Sequence, residues 1–141
     1  MDHRIYLAGR YSDKELITER ATDLARAGHK IVSRWIAEPH PPQTKLSDIT
    51  TGELVAYANI DITDIQRCDT FLFFSVDPLV PTHRGGRHVE FGYALALGKR
   101  IVVYGPKENI FHYIPNEVMH YDHWDSLVAY LDSLKEFYAA H

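Results

Sequence analysis

Apolar positions fall into two kinds of run along the chain: short continuous blocks and longer stretches with helical spacing. Residues 4–8 (Arg-Ile-Tyr-Leu-Ala) are nearly all apolar and stop at Gly9, as a first strand would. Ser12-Asp13-Lys14-Glu15 then reads as a capping box, in which the Ser12 hydroxyl and the Glu15 carboxylate satisfy orphan amides at a helix start. Behind it Leu16, Ile17, Ala21, Leu24 and Ala25 recur at helical spacing, and Gly28 supplies a stop. Residues 30–36 give a second strand. Pro39, Pro41 and Pro42 make residues 38–48 a loop.

Thr50-Thr51-Gly52-Glu53 opens a second helix that reaches about Gln66. Residues 70–76 (Thr-Phe-Leu-Phe-Phe-Ser-Val) are apolar almost throughout, which suits a strand covered on both faces. A loop over 77–86 contains Pro78, Pro81 and the pair Gly85-Gly86. A third helix follows over 87–97, closed by Gly98, and residues 100–104 form the next strand. After an irregular segment, Asp122 caps a final amphipathic helix reaching Phe137.

Alternating strands and helices predict a single-domain α/β protein over residues 1–141. Its sheet is expected to be parallel and doubly wound, of the Rossmann or flavodoxin kind, with about five strands and helices on both faces. Ligands of such sheets sit beyond the carboxyl ends of the strands. That rule selects residues 9–12, 77–90 and 105–112, and with them Gly9, Arg10, Gly85, Gly86 and Asn109 as candidate binding residues.

Composition narrows the partners. A net charge of −4 provides no basic field for a nucleic-acid backbone, while a small nucleotide needs only a local cluster of cations. The single cysteine, Cys68, excludes an internal disulfide, suits a reducing compartment and reads as a buried small hydrophobe. No apolar run approaches the roughly 20 residues that span a bilayer, and the amino terminus lacks a leader pattern. A cytoplasmic protein without a membrane partner is expected.

Three residues carry the candidate chemistry. Glu90 follows Gly85-Gly86-Arg87-His88 at the predicted first turn of the third helix, where the dipole favours an ionised carboxylate and the glycines admit a ligand. Spacing alone fits a plain first-turn acid equally well. Asp61 and Asp64 lie one helical turn apart, and paired carboxyls are what retaining glycosyl transfer requires. Spacing favours a solvated acidic face for them. Tyr6, near the end of the first strand, reads by default as a packed aromatic with a bonded hydroxyl.

Together these segments resemble the nucleoside 2-deoxyribosyltransferase family and the related nucleoside 5′-monophosphate N-glycoside hydrolases. The matching pieces are Ile5-Tyr6-Leu7-Ala8-Gly9, then Asn59-Ile60-Asp61-Ile62 followed by Asp69, then residues 90–99 (Glu-Phe-Gly-Tyr-Ala-Leu-Ala-Leu-Gly-Lys). The resemblance implies that Glu90 is the nucleophile, that Asp61 assists the base or sugar, and that Tyr6 positions Glu90. It also implies a homo-oligomer in which neighbouring subunits complete the site. Asn109, after the fourth strand, then lines its own pocket or a neighbour's.

The chain departs from that pattern at Arg84, where the transferases carry an aspartate six residues before the nucleophile and the hydrolases typically a serine. The stretch Thr82-His83-Arg84-Gly85-Gly86-Arg87-His88 is basic within an acidic protein. Guanidinium groups suit bidentate phosphate binding, which points to a 5′-phosphorylated substrate; pairing of Arg84 and Arg87 with surface acids is the alternative. No dinucleotide fingerprint surrounds Gly9, and His112, His120 and His123 match no standard zinc spacing, so no cofactor or metal is expected. The expected ligand is a nucleoside or nucleotide, handled by transfer or by hydrolysis. A nucleotide sensor that binds without cleaving is the reading from another class.

Overall fold

The apolar blocks become neighbouring strands of one sheet. The computed structural model describes residues 2–41, 44–81 and 84–140. The chain runs β1 (Arg4–Ala8), α1 (Lys14–Arg26), β2 (Lys30–Ile31), α2 (Thr51–Arg67), β3 (Thr70–Phe74), α3 (Gly86–Ala96), β4 (Arg100–Tyr104), β5 (Val118–Tyr121) and α4 (Trp124–Ala140). All pairings are parallel, in the order β2-β1-β3-β4-β5, the flavodoxin-like arrangement of a doubly wound sheet. The strand order reverses between β1 and β3, so a crevice opens beyond their carboxyl ends.

Helices cover both faces. On one, α1 meets α4: Lys135 donates to the Ala27 carbonyl, and the Arg20 guanidinium lies 4.5 Å from the Trp124 ring centre. On the other, α2 packs beside α3, with Gln66 Nε2 donating to the Tyr93 hydroxyl at 2.7 Å. Every residue of β3 is buried, as its unbroken apolar run requires. Cys68 is buried too, and burial pushes its thiol up to about 12. Among the described residues, no helix is long and apolar enough to cross a membrane.

Several local expectations are corrected. Ser12 caps nothing: Tyr11–Asp13 form a 3₁₀ turn, and Asp13, which precedes α1, makes a two-pronged pair with Arg10 instead. The helix start read at Thr50 is capped: Thr50 accepts from the Glu53 amide and donates to its carboxylate. The second strand is only two residues long. The chain leaves the sheet early because Ser33 accepts from the Leu7 amide and Trp35 turns inward to donate to the Leu7 carbonyl, which makes residues Arg34–Ala37 a 3₁₀ turn.

The fifth strand lies in the segment read as irregular. Asp122 falls one residue too early to cap α4: His123 precedes the helix and its carbonyl accepts the Leu127 amide, while Asp122 faces the His120 ring at 3.3 Å.

Candidate functional site

Side chains alternate along β1, so Tyr6 points to the face covered by α2 and α3. Its ring stacks on that of Phe71, its partner across the β1–β3 pairing, with centres 5.6 Å apart and planes within 5°. The fully buried hydroxyl reaches past the sheet and donates to Oε2 of Glu90. At the end of β1, α1 packs close against Gly9: a Cβ there would lie 2.5 Å from Ile17 Cδ1.

Glu90 is presented by α3, whose start is set by Gly85 in the left-handed region at φ 70°. The helix begins at Gly86, so Glu90 opens the second turn and the first turn holds no acid. Its position therefore owes more to Tyr6 than to the helix end. Burial pushes the Glu90 carboxyl up to about 7; the Tyr6 hydrogen bond pulls it down, and the charge of Glu38 adds to the rise.

Asp61 faces the same crevice from α2. Burial raises its carboxyl to about 8, helped by Glu90, Glu38 and Asp64 and opposed by Arg34. Its Oδ1 is buried with no hydrogen-bond partner among the described residues. A raised carboxyl in a cleft is what a proton donor at neutral pH needs.

Asp64 is not on a solvated face. It is fully buried and accepts from the Arg34 amide at 3.0 Å and from the Arg34 guanidinium at 2.8–3.2 Å. That clamp ties the Arg34–Ala37 turn to α2 and brings the next residues against the crevice.

The cleft has a volume of about 710 Å³, within the range of small-molecule sites. Gly9 and Arg10 line it beyond β1; Trp35, Glu38 and His40 beyond β2; Leu54, Tyr57 and Asp61 along α2; and Arg84, Gly85, Gly86, Arg87 and Glu90 at the start of α3. The candidates Asp61, Glu90, Gly9, Arg10, Arg84, Gly85, Gly86 and Arg87 thus converge, and buried Tyr6 joins them through its bond to Glu90. His88 and Asn109 do not line it. The His88 ring packs near Phe73, and Asn109 accepts from the Phe111 amide at 2.9 Å.

The basic stretch is less free than its composition suggests. Arg87 is buried and makes a two-pronged pair with Glu108, one arm at 2.7 Å. Arg84, in the left-handed region at φ 71°, donates to the Thr44 carbonyl. Thr82 and His83 lie outside the described residues.

His112 and His120 serve the backbone: His112 Nδ1 accepts from the Glu108 amide, and His120 Nε2 contacts the Gly105 carbonyl. Among the described residues, no three histidine, cysteine or acidic side chains are grouped to hold a metal.

No family model and no curated protein matches the chain. Solved structures do. A CMP N-glycosidase, BcmB, from Clostridium botulinum superposes with a TM-score of 0.56 at 21% identity, covering 92% of this chain and 98% of that one. A 2-deoxyribosyltransferase from Bacillus psychrosaccharolyticus superposes with a TM-score of 0.62 at 18% identity, covering 89% and 90%. The chain shares their fold. At these identities the likeness extends to architecture alone, and the chemistry has to be argued from the cleft.

Residues missing from the sequence reading are Trp35, Glu38, His40 and Tyr57. Glu38 and His40 lie just past the predicted second strand, where the strand-end rule points, whereas Trp35 falls inside that predicted strand and Tyr57 on the second helix.

Proposed function

We propose that this protein breaks the N-glycosidic bond of a nucleoside or nucleotide, passing the sugar through Glu90 to a second base or to water. The observation that carries the reading is the Tyr6–Glu90 hydrogen bond in a cleft that also holds the raised carboxyl of Asp61. Tyr6 occupies one oxygen of Glu90 and leaves the other to attack the anomeric carbon. As the carbon–nitrogen bond breaks, its electron pair goes to the base, and protonated Asp61 supplies the proton. In the return step, an acceptor base nitrogen or water attacks the anomeric carbon. The glycosyl ester to Glu90 breaks, and Asp61 takes the proton back from the acceptor.

The environment supports these roles. Asp61 at about 8 stays protonated at a pH where Glu90, at about 7, has begun to ionise. Burial and the neighbouring Glu90 charge raise the Tyr6 hydroxyl, so it remains a donor throughout. The two enzymes that share the fold, by name a CMP N-glycosidase and a 2-deoxyribosyltransferase, support this chemical class. A preference for 5′-monophosphates is proposed through Arg84, which donates to the Thr44 carbonyl and, among the described residues, pairs with no carboxylate, whereas Arg10 is bonded to Asp13 and Arg87 to Glu108. A homo-oligomer belongs to the same proposal, with Asn109 serving a neighbour's cleft.

The test is a chromatographic screen of deoxynucleosides and their monophosphates, with and without an added acceptor base. Release or exchange of base by the wild type, lost by several orders of magnitude in a folded Glu90→Gln variant, is the expected result. Binding without base release would mark a sensor and overturn the enzymatic reading.

A further inference from the structure

Glu38 is the third carboxyl of the cleft, and the proposed chemistry leaves it without a task. It follows the clamped turn Arg34–Ala37, is half-buried, and lines the cleft near Trp35, His40 and Asp61. The groups that could neutralise it are engaged elsewhere. The Lys14 ammonium donates to the Tyr11 hydroxyl and to the backbone carbonyl of Glu38, and the His40 ring turns to Glu53 and Tyr57. Among the described residues, nothing donates a hydrogen bond to the Glu38 carboxylate. Burial pushes its carboxyl up, and the charges of Lys14 and His40 pull it back toward the ionised form.

Desolvating a carboxylate is costly unless something donates to it. The cleft lining also includes the apolar and aromatic side chains of Trp35, Leu46, Ile49 and Leu54. Apolar and aromatic lining with an acceptor-only group beside it suits a planar ring that carries an N–H on its rim.

We propose that Glu38 reads the base, accepting an N–H from an exocyclic amino group, so that the substrates carry amino-bearing bases of the cytosine or adenine kind. This rests on the N-glycosidic reading. The oxo counterparts, of the uracil or hypoxanthine kind, would turn a carbonyl lone pair toward Glu38. Two buried acceptors would then face each other, and sites built to pair a polar group reject such analogues strongly.

The experiment uses matched pairs that differ by amino-to-oxo exchange: 2′-deoxycytidine with 2′-deoxyuridine, 2′-deoxyadenosine with 2′-deoxyinosine, and their 5′-monophosphates. Base release is measured for the wild type and for Glu38→Gln. The wild type should favour the amino member by at least about tenfold in kcat/KM, and Glu38→Gln should cut that ratio by at least about tenfold, because an amide can donate to the carbonyl. Taking the ratio within one sugar cancels the effect of the Glu38 charge on Glu90 and Asp61.

A wild-type ratio near one, or a variant that loses both members alike, overturns the assignment. If no base is released at all, the same pairs are titrated calorimetrically onto the Glu90→Gln protein, with and without Glu38→Gln. Tighter binding of the amino member that disappears with Glu38→Gln keeps the assignment while the N-glycosidic reading fails. Equal binding, or none, overturns it.

Discussion

Tyr6 and Glu90 stand 84 positions apart in the chain, yet one proton joins them: the buried hydroxyl of β1 is given to the carboxylate of α3. The phenol is fixed by stacking on Phe71, so the sheet itself aims the carboxylate. Tyr6→Phe keeps the ring and removes the donor. A hydrogen bond to a charged group contributes roughly 1.5–3 kcal/mol, so turnover should fall by about ten- to a hundredfold. The lost bond had favoured the ionised form, so the acid limb of the pH–rate profile should move to higher pH. An unchanged limb would detach Tyr6 from Glu90.

The pH profile of kcat/KM should be bell-shaped and narrow. Its acid limb reports ionisation of Glu90 near 7 and its alkaline limb deprotonation of Asp61 near 8, as apparent values of an interacting pair. Asp61→Asn should remove the alkaline limb and slow the reaction by about 10²–10⁴-fold. A profile flat from pH 6 to 9, on the order of the range these groups cover, would contradict both roles.

Stability should show the same groups with the opposite consequence. Both carboxyls are raised, so the folded protein holds their protons more tightly than the unfolded chain does. Their contribution is complete below the ordinary carboxylate range and is lost as pH rises through about 7 and about 8. Asp61→Asn should therefore melt above the wild type at pH 9 and close to it near pH 5, where roughly 1 kcal/mol moves Tm by about 2–8 °C for chains of this general size. Asp64→Asn should melt below the wild type at both, because it weakens the clamp on Arg34. Thermal melts of the two variants at both pH values separate the cases.

Arg87 and Arg84 should separate a stability role from a recognition role. Arg87→Met leaves Glu108 buried without its partner, which typically costs about 3–5 kcal/mol, and adding Glu108→Gln should recover part of it. Arg84→Ala should leave Tm nearly unchanged and lower activity on monophosphates by about ten- to a hundredfold relative to nucleosides. Denaturant melts and paired substrate assays measure the two. If Arg84→Ala weakens both substrate classes equally, the phosphate is read elsewhere or not at all.

The bounds of β1 and β4 could be read directly because each is an apolar run with abrupt polar or glycine ends. β5 could not: Val118–Tyr121 is a half-exposed edge strand that includes a histidine, and its pattern differs little from a loop. β2 was overread because Val32 and Trp35 are apolar for a different reason. They pack inward from the segment just after the strand rather than within it. Tyr6, Asp61 and Glu90 were singled out together by the family resemblance; their spacing alone fitted a packed aromatic, a solvated face and a plain first-turn acid. Glu38 lies just past the predicted second strand, but its orientation follows from the Arg34–Asp64 pair, which joins residues 30 positions apart and leaves no local pattern.

That pair has an implication for how such a cleft can change. Residues 38–41 are anchored by Arg34 on Asp64, and residues 44–49 by the Thr50 cap of α2. Tyr6, Asp61 and Glu90, the groups proposed to react, lie outside both. On the proposed reading these residues form an exchangeable cassette: altering them would redirect which ring is accepted, and the bond-breaking groups need not be rebuilt.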